Sequence, residues 1–364
     1  MNNNSASNKR FYELDVLRGL ASMSVVLYHF TFVYSIGLGQ ISDDKFHFNY
    51  GYLGVPLFFI ISGYVIFMTL EKTEKSTDFI VSRFSRLYPA YWASIIVTII
   101  ATTLLSAPFQ QGLYSFDQVL INFTMLQYFF KIQDIDGVYW SLAVELTFYF
   151  IMWFIFMIKK LHHINWFCLG WLILSVAFTF IKIPFENYIK FILDLNYAPL
   201  FIGGIAFYNI KKDRTLYSYH IIAILSLLSE YYLFHLQEID QAPNIDGIDF
   251  VPYVVITLFY GLFYLFIFNK LTFLTNKFFI FLGSISYPLY LIHQNIGRAI
   301  IYWLRKIVDI QFIYLPITLL IVVALASLIT FKIEKPALKA IRFFYSNKYD
   351  FLLEKLLIFC KIKI

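Results

Sequence analysis

The first apolar segment of the chain reads Phe11-Tyr-Glu-Leu-Asp-Val-Leu-Arg-Gly-Leu-Ala-Ser-Met-Ser-Val-Val-Leu-Tyr-His-Phe30. About 20 mostly apolar residues cross a bilayer as a helix. A charged side chain near the bilayer centre costs about 2.5 to 3.5 kcal/mol, so such residues usually face a protein interior or a wet cavity. At helical spacing the polar residues of this segment share one face. The sequence therefore predicts a transmembrane helix whose polar face is the wall of an active site, formed by Asp15, Arg18, Ser22 and His29.

These residues also have simpler interpretations. Arg18 could extend to the lipid headgroups with Asp15 as its ion-pair partner, and His29 could be a hydrogen-bonded packing residue. Their alignment on one face favours the functional interpretation.

The composition excludes a soluble globular protein. The chain has 364 residues, of which 60% are hydrophobic and 14% are charged, whereas soluble domains have about 45 to 50% apolar and about 25% charged residues. The sequence predicts an all-α, polytopic integral membrane protein with about ten transmembrane helices. The ten predicted segments are 12–35, 51–70, 88–107, 139–158, 164–183, 190–210, 216–235, 250–268, 279–303 and 312–333.

The basic residues predict the topology. The net charge of +6 is spread over alternate loops, which does not indicate a nucleic-acid partner. With the N-terminus inside, 21 of the 29 Lys and Arg residues lie on the cytoplasmic side and six lie outside. The positive-inside rule then places both termini in the cytoplasm. The expected organisation is a retained cytoplasmic tail at 1–11, a transmembrane domain at 12–336 and a cytoplasmic tail at 337–364.

The two cysteines give no disulfide framework and no metal-ligand spacing. Cys168 lies within a predicted span and Cys360 lies near the end of the chain. We therefore expect no metal site.

Five further motifs follow the first helix in a fixed order. Together with Arg-x10-His in the first span, their residue types, order and spacing resemble acyltransferase family 3, the integral-membrane acyltransferases that modify surface polysaccharides, lipids and small molecules. The resemblance extends from Tyr12 to Pro336. The motifs are Gly54-Val-Pro-Leu-Phe-Phe-Ile-Ile-Ser-Gly-Tyr64, Ser82-Arg-Phe-Ser-Arg-Leu-Tyr-Pro-Ala-Tyr91, Trp140-Ser-Leu-Ala-Val-Glu145, Ser286-Tyr-Pro-Leu-Tyr-Leu-Ile-His293 and Glu334-Lys-Pro336.

This resemblance implies an activity and a location. The expected reaction is O-acyl transfer, most simply of acetyl, from cytoplasmic acyl-coenzyme A to a hydroxyl of an envelope polysaccharide or glycolipid such as the lipopolysaccharide O-antigen. Acyl-coenzyme A would be a donor substrate, and no tightly bound cofactor is expected. The protein would lie in the cytoplasmic (inner) membrane of a bacterium.

The resemblance also implies residue roles. His29 would act as the general base, because an imidazole with a pKa near 6.5 accepts a proton near neutral pH. Arg18 would orient the donor or stabilise oxyanion charge. Glu145 or Glu334 would position a charged partner. The remaining candidates are Arg83 and Arg86 for the coenzyme A phosphates, and Trp140, Ser286, Tyr290 and His293, with Asp15 and Ser22, for the substrate cavity.

Several alternatives stay open. Arg83 and Arg86 could be positive-inside anchors, and the ninth-span polar residues could form a helix-helix seam. Glu145 could pair with Arg18 or His29, and Glu334 with Lys332 or Lys335. The aromatic and acidic loop at 108–138 could bind sugars or form an interfacial belt. The protein could also be an exporter without acyl transfer, or use a lipid or small-molecule acceptor.

Overall fold

The computed structural model describes residues 11–34, 46–105, 114–241 and 249–347, without the side chains of 238–241. Most of the expected N-terminal tail, Cys360 and the segment 348–364 lie outside these residues. The described residues are mainly helical and include no strand, which confirms the all-α class. Twelve of their α-helices are α1 (Tyr12–Tyr28), α2 (Gly54–Glu71), α3 (Ser76–Leu105), α4 (Phe116–Asn122), α5 (Trp140–Met157), α6 (Ile164–Ala177), α7 (Glu186–Ile192), α8 (Ala198–Lys212), α9 (Tyr217–Gln241), α10 (Phe250–Ile267), α11 (Lys277–Ile307) and α12 (Gln311–Ile329). A further α-helical segment covers 335–347.

Seven of the described helices, taken with the short helical turns that extend some of them, are long and apolar enough to cross a membrane. They contain α1, α2, α3, α5, α9, α10 and α12. The other three predicted spans coincide with α6, α8 and α11, of 14, 15 and 31 residues. The polytopic membrane class is therefore confirmed, and the number of ten spans stays a prediction.

Small residues bring the helices into contact at their backbones. A Cβ atom added at Gly19 of α1 would lie 2.7 Å from the backbone nitrogen of Gly283 in α11. Helix α2 is likewise a close neighbour of α1, because Gly54 of α2 faces the backbone of Ala21. Such contacts provide packing where lipid supplies no hydrophobic drive between helices. The resulting α1–α2 and α1–α11 seams position the polar face of α1.

Helix α3 begins earlier than the span predicted at 88–107. It starts at Ser76 and continues through Pro89 as one helix. Arg83 and Arg86 therefore lie on a continuous helix, three residues apart, and share a face as the spacing predicts.

Two π-helical turns extend the ends of α1 and α12. The first covers His29–Val33 and the second covers Thr330–Glu334. The predicted segment 312–333 ends shortly before Pro336, because a proline is expected to end a helix. The chain remains helical at 335–347, so this expected helix end is wrong. A π turn shifts the backbone hydrogen-bond pattern, so the missing N–H of a following proline does not end the helix. Each π turn contains a predicted catalytic residue, His29 or Glu334.

Candidate active site

A cavity lies among α1, α2, α3, α5 and α11, and we call it the arginine cavity. Six of its lining residues were predicted from the sequence, although they come from four separate parts of the chain. They are Arg18, Arg83, Arg86, Glu145, Ser286 and Tyr290.

The three arginines have different partners. Arg18 faces Asp15 across 3.6 Å, one turn apart on α1. Arg86 forms an ion pair with Glu334, whose side chain is 1% exposed. The expected pairing of Glu334 with a neighbouring lysine is thus replaced by a contact between α3 and the π turn after α12. Arg83 donates to Ser82 at 3.0 Å, but its Nε atom has no hydrogen-bond partner among the described residues.

Glu145 is held by hydroxyl groups. Its Oε1 atom accepts hydrogen bonds from Ser62 at 2.5 Å and from Tyr149 at 2.6 Å. Its hydrogen-bond partners are therefore neither of the two candidates, Arg18 and His29, to which no ion pair or hydrogen bond joins it in the described part of the chain. Arg18 is nevertheless within electrostatic range of this carboxylate. Ser62 comes from α2, and Tyr149 lies one turn after Glu145 on α5. These two nearby hydroxyl groups take the place of a charged partner for Glu145.

His29 contacts a second histidine outside the lining of the arginine cavity. The His29 Nδ1 atom lies 2.9 Å from the carbonyl oxygen of Val25 and 3.2 Å from Nε2 of His293. His293 is fully buried, and its Nδ1 atom lies 2.7 Å from the carbonyl oxygen of Tyr290. We call these two residues the histidine pair.

The two carbonyl groups define the tautomers of the neutral histidine pair. A carbonyl oxygen can only accept a hydrogen bond, so Nδ1 carries the proton in both rings. Nε2 of His293 then has a lone pair that accepts from the Nδ1–H of His29, which is shared with Val25. The remaining nitrogen of His29, Nε2, is therefore unprotonated and can accept a proton from a substrate.

The other predicted residues lie around these two features. Ser22 is buried and donates to the carbonyl oxygen of Ser286 at 3.0 Å, across the α1–α11 seam. Trp140 packs against Tyr197 with ring centroids 5.6 Å apart. These residues, with Asp15, Glu334 and the histidine pair, do not line the arginine cavity. Their functional roles stay predictions.

Two hydroxyl groups connect α5 to α11. Ser141 and Tyr290 lie 2.7 Å apart at the arginine cavity, and Tyr290 also donates to the carbonyl oxygen of Val138 at 3.3 Å. Ser141 and Tyr149 were not predicted as site residues. They stand four residues before and after Glu145, so its helical neighbours were the available signal.

Arg342 is a further cation that the sequence analysis did not identify. It lies in the 335–347 helix, with its Nη2 atom 3.5 Å from the Ser82 hydroxyl. It is within electrostatic range of Arg83 and Arg86. Because Pro336 was expected to end the helix, the sequence placed Arg342 in a tail.

This arrangement suits chemistry on an anionic substrate. Arginine forks match phosphate oxygens, and three of them reach one cavity. No group of three or more potential metal ligands occurs among the described His, Cys, Asp and Glu side chains. The available chemical groups are therefore guanidinium, hydroxyl, carboxylate and imidazole.

Known proteins with sequences similar to this chain include acyltransferases. Residues 11–331 match the family profile described as an acyltransferase domain. A protein of Acidianus two-tailed virus, provisionally named an acetyltransferase, is 30% identical over 76% of this chain and 80% of its own length. The peptidoglycan O-acetyltransferase of Listeria monocytogenes is 29% identical over 40% of this chain, which spans 24% of that relative. A protein provisionally named an O-acetyltransferase in Staphylococcus aureus is 26% identical over 59% of this chain and 43% of its length. No solved structure matches the chain.

Proposed function

The chain belongs to acyltransferase family 3 and is a multi-pass membrane acyltransferase, and from this premise we propose that it O-acetylates an envelope polysaccharide or glycolipid with acetyl-coenzyme A. Relatives named as O-acetyltransferases support the acyl group and the oxygen acceptor. The peptidoglycan in the name of the Listeria relative supports a carbohydrate acceptor. We place the protein in the inner membrane of a bacterium, with both termini in the cytoplasm.

The arginine cavity is the proposed donor site. Coenzyme A carries several phosphate charges, and Arg83, Arg86 and Arg18 present three guanidinium groups to one space. Arg83 is the best placed to bind a phosphate, since it lines the cavity and forms no ion pair with a described carboxylate, whereas Arg18 faces Asp15 and Arg86 pairs with Glu334. Arg86 is oriented by Glu334. Glu145 is held by Ser62 and Tyr149 and would balance the charge of Arg18 when the donor is absent.

The histidine pair is the proposed proton acceptor. The Nε2 atom of His29 takes the proton of the acceptor hydroxyl while that oxygen attacks the thioester carbonyl. The new carbon–oxygen bond forms, the carbon–sulfur bond breaks, and the coenzyme A thiolate leaves and takes up the proton. Arg18 orients the donor, because it lines the arginine cavity together with Arg83 and Arg86. The observation that carries this assignment is the hydrogen-bond chain from Tyr290 through His293 to His29.

Coenzyme A release tests the proposal. Purified protein in nanodiscs is supplied with acetyl-coenzyme A and an envelope glycan extract, and free thiol is measured together with acetylated product. General-base catalysis contributes about 10² to 10⁴-fold, so His29→Ala should lower turnover by at least a hundredfold while donor binding survives. An exporter would release no coenzyme A. Equal turnover by the wild-type protein and His29→Ala would exclude His29 as the base.

A further inference from the structure

A second cavity lies farther along α11, and we call it the distal pocket. Polar side chains from two regions form its walls: the segment that contains α4 and the loop after it, and the second half of α11. They are Gln118, Gln133, Asp134, Gln294, Asn295 and Arg298.

Hydrogen bonds fix the loop wall of this pocket. Asn122 accepts from the backbone N–H of Ile135 at 3.1 Å and donates to the carbonyl oxygen of Gln133 at 3.0 Å. The fully buried Asp136 accepts from the backbone N–H of Asn295 at 3.0 Å, which joins the loop to α11. The Asp134 carboxylate is oriented by Gln127 at 2.7 Å. These contacts hold the loop wall of the pocket in place without a ligand. They leave some hydrogen-bonding groups of the lining residues unused.

Several hydrogen-bonding groups remain available inside the pocket. The half-buried Gln294 carboxamide makes no hydrogen bond to another described residue. Asn295 uses its Nδ2 atom to donate to Ile135 at 2.9 Å, which leaves its oxygen. Gln118 likewise donates to the Gln133 carbonyl at 3.2 Å and keeps its oxygen. Carboxamides and carboxylates with this spare capacity suit neighbouring hydroxyl groups, which both donate and accept.

The two cavities lie along one face of α11. Tyr287 and Tyr290 line the arginine cavity, and Gln294 and Arg298 line the distal pocket. These residues follow one another at intervals of three, four and four, so they share a helical face. At about 1.5 Å per residue the face extends over roughly 16 Å from Tyr287 to Arg298. His293, which bonds His29, lies between the two sets along the helix.

The charge of the two cavities differs. Three arginines and one glutamate line the arginine cavity, whereas the distal pocket has one carboxylate, one guanidinium and several carboxamides. A polyphosphate donor fits the first cavity. A neutral ligand rich in hydroxyl groups fits the second.

We propose that the distal pocket binds a neutral saccharide segment of the acceptor, beside the histidine pair. This inference rests on the proposed acyl transfer to a glycan, and it adds a location and a charge class for the acceptor. Gln294 and Asp134 bind sugar hydroxyls, and the rest of the acceptor extends away from α11.

Binding in the absence of donor tests this proposal. The neutral probes chitotetraose and maltotetraose are titrated into nanodisc-embedded protein, with tetragalacturonate as the anionic comparison. We expect saturable binding of a neutral probe and weaker binding of the anionic one. Gln294→Leu should weaken binding of the neutral probe about tenfold, the equivalent of one buried hydrogen-bonding group. Gln237→Leu is the matched control, because Gln237 lies on α9 outside the pocket and its loss should leave binding unchanged.

The outcomes separate this proposal from the proposed function. Failure of both neutral probes to bind, preference for the anionic probe, or unchanged binding by Gln294→Leu would overturn the saccharide site. Retained acetyl-coenzyme A binding shows that Gln294→Leu is folded. If saccharide binding requires Gln294 but no coenzyme A is released, the saccharide site is supported and the proposed acyl transfer is refuted. If His29-dependent transfer proceeds with the wild-type acceptor KM in Gln294→Leu, the reaction stands and the pocket assignment fails.

Discussion

At the residue scale, the two side chains of the histidine pair, His29 and His293, have different proposed roles. His293 touches His29 and not the proposed reacting atoms, so in the proposed mechanism it is a positioning residue that holds Nδ1–H of His29 and leaves Nε2 as the base. His293→Ala should lower kcat about tenfold or more, with the KM for acetyl-coenzyme A unchanged. His293→Gln should recover part of the loss, because its carbonyl oxygen can accept the same N–H. Steady-state kinetics of the three proteins checks this. Equal loss in Ala and Gln would assign His293 to packing alone.

Arg83 and Arg86 call for different substitutions, because their partners differ. Arg83→Ala removes a guanidinium with an unused Nε–H and should weaken acetyl-coenzyme A binding about tenfold, measured by calorimetry. Arg86→Ala would also leave the buried Glu334 without its ion-pair partner, which is strongly destabilising. The double change Arg86→Ala with Glu334→Gln separates donor binding from that effect. Lys72→Ala is the control for a cytoplasmic charge outside the cavity. Equal donor affinity in Arg83→Ala and Lys72→Ala would leave Arg83 as a topology signal.

At the element scale, a buried carboxyl controls how the loop docks on α11. Burial raises the pKa of Asp136 to about 7 from its usual 3.8, although two backbone N–H groups oppose this. A raised folded-state pKa means that the folded loop binds the proton more tightly than the unfolded chain. Stability should then fall as the pH rises from about 4 to 7. Over the two pH units from 5 to 7 the loss of stability amounts to about 2 kcal/mol.

Thermal unfolding at pH 5 and pH 8 measures this dependence. The wild-type protein should melt at a lower temperature at pH 8. Asp136→Asn cannot titrate and keeps one of the two accepted N–H bonds, so its melting temperature should vary less with pH. Burial also raises the pKa of Asp134, to about 6. Because Asp134 is present in both proteins, it contributes equally to the pH dependence of both. An identical pH dependence in wild type and Asp136→Asn would rule out Asp136 as the titrating group.

Helical periodicity accounts for what the sequence could predict of these elements. The shared face of Arg83 and Arg86 and the polar side of α1 follow from spacing within one helix. Arg18, Arg83 and Arg86 line the arginine cavity, and the role of the α1 face stays a prediction. The partners of Glu145 and Glu334 depend on which helices become neighbours, and no local pattern contains that information. Ser22 shows how far helical spacing predicts a contact. It lies on the predicted face of α1, but it donates to α11 instead of lining the arginine cavity. The helix through Pro336 depends on a π turn that has no sequence signature.

At the scale of the whole molecule, the proposed topology assigns the two cavities to opposite sides of the membrane. With the N-terminus inside, α1 and α11 both run outward. The arginine cavity then faces the cytoplasm and the distal pocket faces outside. Cysteine substitutions at the exposed Lys131 and Lys160 test this orientation with an impermeant maleimide, in a protein whose Cys360 is serine and whose Cys168 is fully buried. Lys131→Cys should react from outside and Lys160→Cys only after the membrane is opened. The reverse pattern would contradict the topology.

The last prediction concerns the direction of transfer through this arrangement. Arg18 and His29 are eleven residues apart on α1, or roughly 16 Å at about 1.5 Å per residue, which is about half of the hydrocarbon thickness of about 30 Å. An extended pantetheine arm that enters past Arg83 and Arg18 can therefore deliver its acyl group partway across the bilayer, near His29. In proteoliposomes of known orientation, acetyl-coenzyme A on the cytoplasmic side and acceptor on the opposite side should give acetylated acceptor, and exchanging the two sides should give none. Product that forms only when both substrates share the cytoplasmic side would refute transfer across the bilayer, even with His29 essential, because the acceptor would then have to reach the histidine pair through the arginine cavity.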